Sequence, residues 1–184
     1  MAAQSASWGG ESSASREEWG YAYLAQARSD LAAAVKVGVD EPSVLAMLLQ
    51  MTFEKAAKGI LLIGRRIDVD RAASTHVAAS LLVAHLKREP DRLRLLGAGA
   101  AAAYRTVLPF VVELERLNPA TVRALGHRSD QLEYPWSDGQ TGSICWPARD
   151  LQVAVRLGDP RSTEASRLLR FAHALLAHAT ELVS

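Results

Sequence analysis

The stretch VLAMLLQMTFEKAAKGILLIGRRIDVDRAASTHVAASLLVAHLKR, residues 44–88, decides the fold. Leu45, Leu48, Thr52, Ala56, Gly59, Ile60 and Ile63 recur at the 3–4 spacing of a buried helical stripe, and Glu54, Lys55 and Lys58 are the only charges before Arg65. A helix with so little polar surface belongs at the centre of its fold. Gly59 lies within the stripe, where a larger side chain would overfill the contact. Arg65 and Arg66 suit the negative end of the helix dipole, Ile67 to Ser74 reads as a connector, and Ser74 or Thr75 is placed to cap a following helix over 75–88.

Working outward toward the amino terminus, Trp19, Tyr23, Leu24, Ala27, Leu31, Ala34 and Val35 predict a helix over 16–37. Ser15 and Glu18 have capping-box spacing, Gly38 is a natural stop, and Pro42 suits the first turn of the central helix. Residues 1–15, rich in Ser, Gly and Ala, read as a flexible arm preceding a single domain over 16–184.

In the other direction the pattern predicts a long helix from Asp91 to Arg116, kinked at Pro109, with the run 97–103 suited to close helix packing. Residues 117–147, interrupted by glycines and prolines, read as an ordered loop that buries Tyr134, Trp136, Ile144 and Trp146. A short helix from Ala148 to Leu157 and a last one from Arg161 to Leu182 complete the chain. No strand pattern is evident, so the expected class is all-α: an antiparallel bundle of five to six helices with an ordered loop before the last two.

A chain of 184 residues can bury roughly 70% of its unfolded surface without staples. The single Cys145 excludes an internal disulfide and a cysteine-rich zinc site. No run of about 18 apolar residues occurs, and the amino terminus lacks a basic start followed by an apolar core; a cytoplasmic protein is expected. Net charge is +1, but residues 65–128 carry 11 basic against 6 acidic side chains, a bias that attracts phosphate if the arginines share a face.

The chemistry-bearing residues are few. Gly97-Ala98-Gly99 opens a formal dinucleotide fingerprint, but the charged helical DRLRLL precedes it where a strand is required. His173 and His178 stand about 140° apart on a helix and cannot share a metal, His85 reads as a boundary residue, and Glu113 and Glu115 point to different faces. No cofactor or metal is expected. Glu54 and Lys58 form an i,i+4 pair on an otherwise apolar helix, which suits either a surface pair or the lining of a crevice or dimer seam, with Lys55 beside them.

The phrase Phe53-Glu54-Lys55-Ala56-Ala57-Lys58, the connector after it, Thr75-His76 opening a Leu-rich helix, and Leu132-Glu133-Tyr134-Pro135 with Pro147 before the closing helix resemble the HEPN family of small helical bundles. The resemblance spans roughly residues 16–182. It implies a self-pairing bundle that works beside a nucleotidyltransferase or within toxin–antitoxin and phage-defence systems. It also implies, in many members, metal-independent RNA cleavage by an arginine and a histidine four to six residues apart. Arg71 and His76 fit that spacing by count, as candidate catalytic residues, although they fall earlier in the chain than the family's pair. Arginine would hold the phosphoryl oxygens and histidine would move the 2′-hydroxyl proton. Within one regular helix the two would diverge by about 140°, so cooperation requires Arg71 to leave the helix or to act across a dimer.

The remaining alternative in that late region, Arg123 to His127, is one residue short. The expectation is therefore a homodimeric HEPN-like binding or assembly subunit, with a nucleotidyltransferase, another protein or RNA as partner and Glu54, Lys55, Lys58 and Tyr134 at its crevice. RNA cleavage by Arg71 and His76 ranks second.

Overall fold

The computed structural model describes residues 14–97, 104–124 and 130–183. These are mainly helical, and none of their helices is long and apolar enough to cross a membrane.

Helix α1 (Arg16–Val37) begins with the capping box read from the sequence. The Ser15 hydroxyl accepts from the Glu18 amide at 3.2 Å, while the Glu18 carboxylate accepts from the Ser15 amide at 2.6 Å. It ends at Gly38, whose φ of 61° is one a side chain would resist. Helix α2 (Pro42–Ile63) follows at once, with Pro42 in its first turn.

From Ala56 to Leu62 every residue of α2 is buried, so here the helix has no solvent face and its neighbours close over it on all sides. Each enclosed Leu or Ile contributes about 1.5–3 kcal/mol. The closest neighbour is α1. A Cβ on Gly59 would lie 2.8 Å from the Gly20 carbonyl oxygen and 2.7 Å from Leu24 Cγ, and one on Gly20 would lie 2.7 Å from Ile63 Cγ1. Gly20 therefore faces the end of α2 while Asp30 reaches Lys55 at 2.5 Å, which makes the pair antiparallel.

Helices α3 (Val69–Ser74) and α4 (Ala78–Arg88) replace the simple connector and cap expected from the sequence. Asp68 caps α3 through the Arg71 amide at 2.7 Å. Neither Ser74 nor Thr75 caps α4: the Ser74 hydroxyl turns back to the Asp70 carbonyl, and Thr75 accepts from the Val77 amide. Because α3 carries the chain back along α2, α4 starts near Glu54 and ends near Arg66. The two helices therefore run in the same direction, a departure from the expected all-antiparallel arrangement.

The long helix expected over 91–116 is not continuous. α5 (Pro90–Leu95) stops before Gly97, which has a φ of 122°; the run 98–103 lies outside the described residues. Tyr104 and Arg105 are helical, Thr106 makes a turn, and α6 (Val107–Arg116) begins after it, which puts Pro109 in a first turn, where a missing amide is tolerated.

The 117–147 segment contains α7 (Pro119–Ala124) and a minimal antiparallel pair, β1 (Trp136–Ser137) with β2 (Ile144–Cys145), in register Trp136 to Cys145. Asp138 builds its turn by accepting from the Gln140 and Thr141 amides. Two-residue strands generate no alternating pattern to read. Nor do they fold their aromatic groups inward: Tyr134, Ile144 and Trp146 stay exposed, and the Arg149 guanidinium covers Trp146 at 3.5 Å. Trp136 packs half-buried against the core, and the residues this segment buries are Pro119, Val122 and Leu132.

The short helix expected over 148–157 is two helices, α8 (Pro147–Asp150) and α9 (Gln152–Gly158), separated by the buried Leu151 in extended conformation. The last helix, α10 (Glu164–Ala177), is shorter than expected, and a 3₁₀ turn (Glu181–Val183) replaces its final turns. Phe171 of α10 meets Phe53 of α2 and Tyr104, with ring centroids 5.8 and 4.7 Å apart.

One backbone feature departs from rule. α2 closes with bonds from the Arg66 amide to the Leu61 carbonyl and from the Arg65 amide to that of Leu62, which puts Arg65, not Gly64, in the left-handed position at φ 55°. Arg65→Gly is expected to raise stability by about 0.5–1 kcal/mol by relieving that conformation. Gly59→Ala is expected to lower it by about 1–3 kcal/mol, and Gly59→Leu by more. Urea unfolding midpoints at constant m-value check both expectations, and an unchanged midpoint for Gly59→Leu refutes the close contact.

Candidate functional site

Burial of every residue of α2 from Ala56 to Leu62 sets the problem that the site solves. Lys58 lies within its enclosed run, only 6% exposed, and a buried ammonium requires a partner. Glu54, one turn earlier, supplies it at 2.8 Å, and the Tyr23 ring stands 5.7 Å from the ammonium.

The Glu54 carboxylate is itself gripped from several directions. Gln50 donates to it at 2.8 Å and Asn118, just before α7, at 3.3 Å, while His76 Nδ1 lies 3.4 Å away, near enough for charge pairing though without hydrogen-bond geometry. Burial alone would push this carboxyl up. The hydrogen bond and charge of Lys58, the Gln50 amide and the His76 charge outweigh burial and hold it below the usual glutamate value.

A second carboxylate lies beside it. Glu115, 2% exposed near the end of α6, accepts from the Ala79 amide at 2.6 Å, from the Ser80 amide at 2.9 Å and from the Ser80 hydroxyl, and so caps α4 from a distant part of the chain. Burial raises its pKa above the ordinary value against the pull of those bonds, and the Glu54 charge adds to the rise. Glu54 and Glu115 thus hold the two ends of the connector 75–77: one faces His76, the other anchors the helix that follows.

Over this floor opens a pocket of about 370 Å³, lined by Arg71 and Ser74 of α3, Thr75, His76 and Val77 of the connector, and Ala120 and Thr121 of α7. His76 retains 43% side-chain exposure, and no carboxylate among the described residues pairs with Arg71. The Thr121 hydroxyl oxygen is enclosed and has no hydrogen-bond partner among the described residues. The pocket offers a guanidinium, an imidazole and hydroxyls, a donor set that suits an anionic oxygen ligand.

Of the residues singled out in the sequence, Glu54, Lys58, Arg71 and His76 come together. Arg71 stays on a helix and His76 leaves it, the reverse of the expected arrangement. The divergence calculated for a regular helix does not apply, because the chain changes direction after Ser74. Lys58 is occupied as a counter-ion below the pocket. Lys55 is bound by Asp30 of α1, and Tyr134, 57% exposed before β1, does not line the pocket. His127 lies outside the described residues, and no group of three or more His, Cys, Asp or Glu side chains among those described could hold a metal.

Sequence reasoning missed Gln50, Asn118 and Glu115. Gln50 was within reach, since it extends the Glu54–Lys58 spacing by one turn. The other two contacts join segments more than thirty residues apart and leave no local trace. Comparison with protein-family models, curated proteins and solved structures gives no match.

The two carboxylates give opposite pH signatures. A depressed carboxyl contributes stability at neutral pH that is lost as pH falls through its folded pKa; a raised one costs stability as pH rises from the ordinary value through its folded pKa. Glu54→Gln strands the buried ammonium and is expected to cost about 3 kcal/mol at neutral pH, a deficit that shrinks in acid. For Glu115→Gln, the melting temperature relative to wild type is expected to climb as pH rises through the window just above about 4.5. Thermal melts of both variants across pH check this, and parallel profiles would contradict the assignment.

Proposed function

We propose that this chain is an HEPN-like helical module that binds a phosphate-bearing ligand, RNA foremost, in the Arg71–His76 pocket. It acts as a cytoplasmic binding or assembly subunit. The observation that carries the reading is that a guanidinium and an imidazole five positions apart line one open pocket above a neutralised carboxylate–ammonium pair.

The Glu54–Lys58 pair contributes no net charge, so Arg71 sets the sign of the field at the opening. Binding ranks above catalysis because Glu54, held by the donors around it, is a poor proton acceptor, and the described residues bring no second general acid or base into the pocket. The sequence resemblance supports the fold, a bundle of five to six major helices. It also supports pairing with a second copy and a setting beside a nucleotidyltransferase or within a bacterial-type toxin–antitoxin or defence system.

A second reading, metal-independent RNA cleavage by Arg71 and His76, is favoured by one specific contact. The Glu54 carboxylate stands 3.4 Å behind His76 Nδ1, and a carboxylate-backed histidine beside an arginine is suited to proton transfer at a phosphate ester.

Arg71→Ala and His76→Ala are each expected to weaken binding of a labelled single-stranded RNA about tenfold, the loss for one charge-assisted hydrogen bond, with the RNA left intact on a denaturing gel. Fluorescence anisotropy reads the affinity. Cleavage by the wild type that His76→Ala abolishes would establish the second reading, and equal affinities for all three proteins would overturn the pocket assignment.

A further inference from the structure

We infer that the basic face where α2 and α4 end is a second docking surface, for the sugar-phosphate backbone of a single-stranded RNA, formed by Arg65, Arg66, Lys87, Arg88 and Arg92. It rests on the reading of the pocket as an RNA site and extends that reading to the far end of α4. α4 has 11 residues, so this face lies about 16 Å along its axis from the pocket.

Parallel packing of α2 and α4 brings two helix carboxyl ends together, and each carries about half a negative charge. Glu89 is the carboxylate at the centre: Arg92 Nε donates to it, His85 Nδ1 lies 3.4 Å from it, and Arg66 lies 4.0 Å from it. Arg92 also donates to the Leu182 carbonyl. At this end Asp91 is paired with Arg94 at 2.8 Å, and Asp68 and Glu18 serve the amino ends of α3 and α1; five cations against Glu89, the exposed Glu17 and two helix ends leave a surplus of about two positive charges, more than capping the helices requires.

Arg65, Lys87 and Arg88 account for that surplus. All three are exposed and unpaired with any carboxylate among the described residues. Arg65 holds its place in a left-handed conformation that glycine would occupy at lower cost, with Gly64 standing one residue too early. The charge excess also registers on His85, whose pKa is lowered first by burial and then, against the pull of Glu89, by Arg66, Arg92 and Arg88.

Single-stranded RNA fits better than a membrane. The cations come from separate elements rather than from one amphipathic helix. Gly20 packs against Ile63, so the exposed Trp19 and Tyr21 of α1 lie at this end of the bundle, and an end that carries both cations and exposed rings suits phosphates with stacking bases.

The test uses the full chain, a fluorescein-labelled single-stranded RNA of mixed sequence, and anisotropy titrations over a series of salt concentrations. The combined variant Arg65→Gly, Lys87→Ser, Arg88→Ser is expected to flatten the slope of log K against log salt by about 2, since each phosphate no longer neutralised removes about 0.7. Arg167→Ser with Arg170→Ser, which removes two exposed charges from α10, is expected to leave the slope unchanged. A combined Lys87→Arg and Arg88→Lys variant, which keeps the charge, is expected to match wild type.

An unchanged slope for the triple variant, with binding still weakened by Arg71→Ala, overturns the second surface and leaves the pocket reading standing. A flattened slope with wild-type affinity in Arg71→Ala and His76→Ala upholds the surface and removes the pocket. Failure of the wild type to bind RNA, or binding only to phosphatidylserine vesicles, overturns both.

Discussion

The backbone contact between Gly20 and Gly59 is the constraint on which the rest of the molecule depends. Two helices can approach this closely only where neither carries a side chain, and each glycine costs about 1 kcal/mol of helix propensity relative to alanine. The return is a helix enclosed over Ala56 to Leu62. That enclosure would be purely apolar except for Lys58, and a buried ammonium cannot stand alone. Glu54 follows from Lys58, and the ring of donors around Glu54 follows from the need to hold a carboxylate where little water reaches. His76 occupies its place because that carboxylate faces the connector.

The same chain of dependence explains why two buried acids lie close together without destroying the fold. Glu54 has a cation within contact distance and stays low. Glu115 pairs with no cation among the described residues, is satisfied by two backbone amides and a hydroxyl at the start of α4, and is pushed up. One carboxylate is stabilised by charge, the other by hydrogen bonds and a helix end. Their environments differ enough that both need not titrate together, and the connector between them is held from both sides.

What was legible in the sequence tracks how local each interaction is. α1 could be bounded to the residue, because Ser15, Glu18 and Gly38 act within a turn of themselves, and the placement of Pro42 worked for the same reason. The reading of 75–88 failed at its cap, since the acceptor for the α4 amides stands on Glu115, thirty-five residues further on. The long helix through Pro109 failed because apolar periodicity persists across a break when both halves face the same core. The direction of α4 relative to α2 was invisible to any periodicity argument. It depends on the six-residue α3, too short to leave a pattern, which turns the chain back along its own path.

Parallel α2 and α4 also divide the chemistry of the molecule by pole. At the start of α4 the helix amides meet a carboxylate, and the net field at the opening is set by Arg71. At its end two helix dipoles converge with their negative poles together, and arginine collects there as a matter of local stability. A cluster recruited to stabilise helix ends would be expected to stop at neutrality and to place glycine at the left-handed residue. This one continues past neutrality and places Arg65 there instead. Stability alone accounts for Arg66 and Arg92, which are tied to Glu89. Arg65, Lys87 and Arg88 also stand where a helix dipole favours a cation, but they pair with no carboxylate among the described residues and keep their charge turned to solvent, where it exerts a long-range attraction beyond the fold.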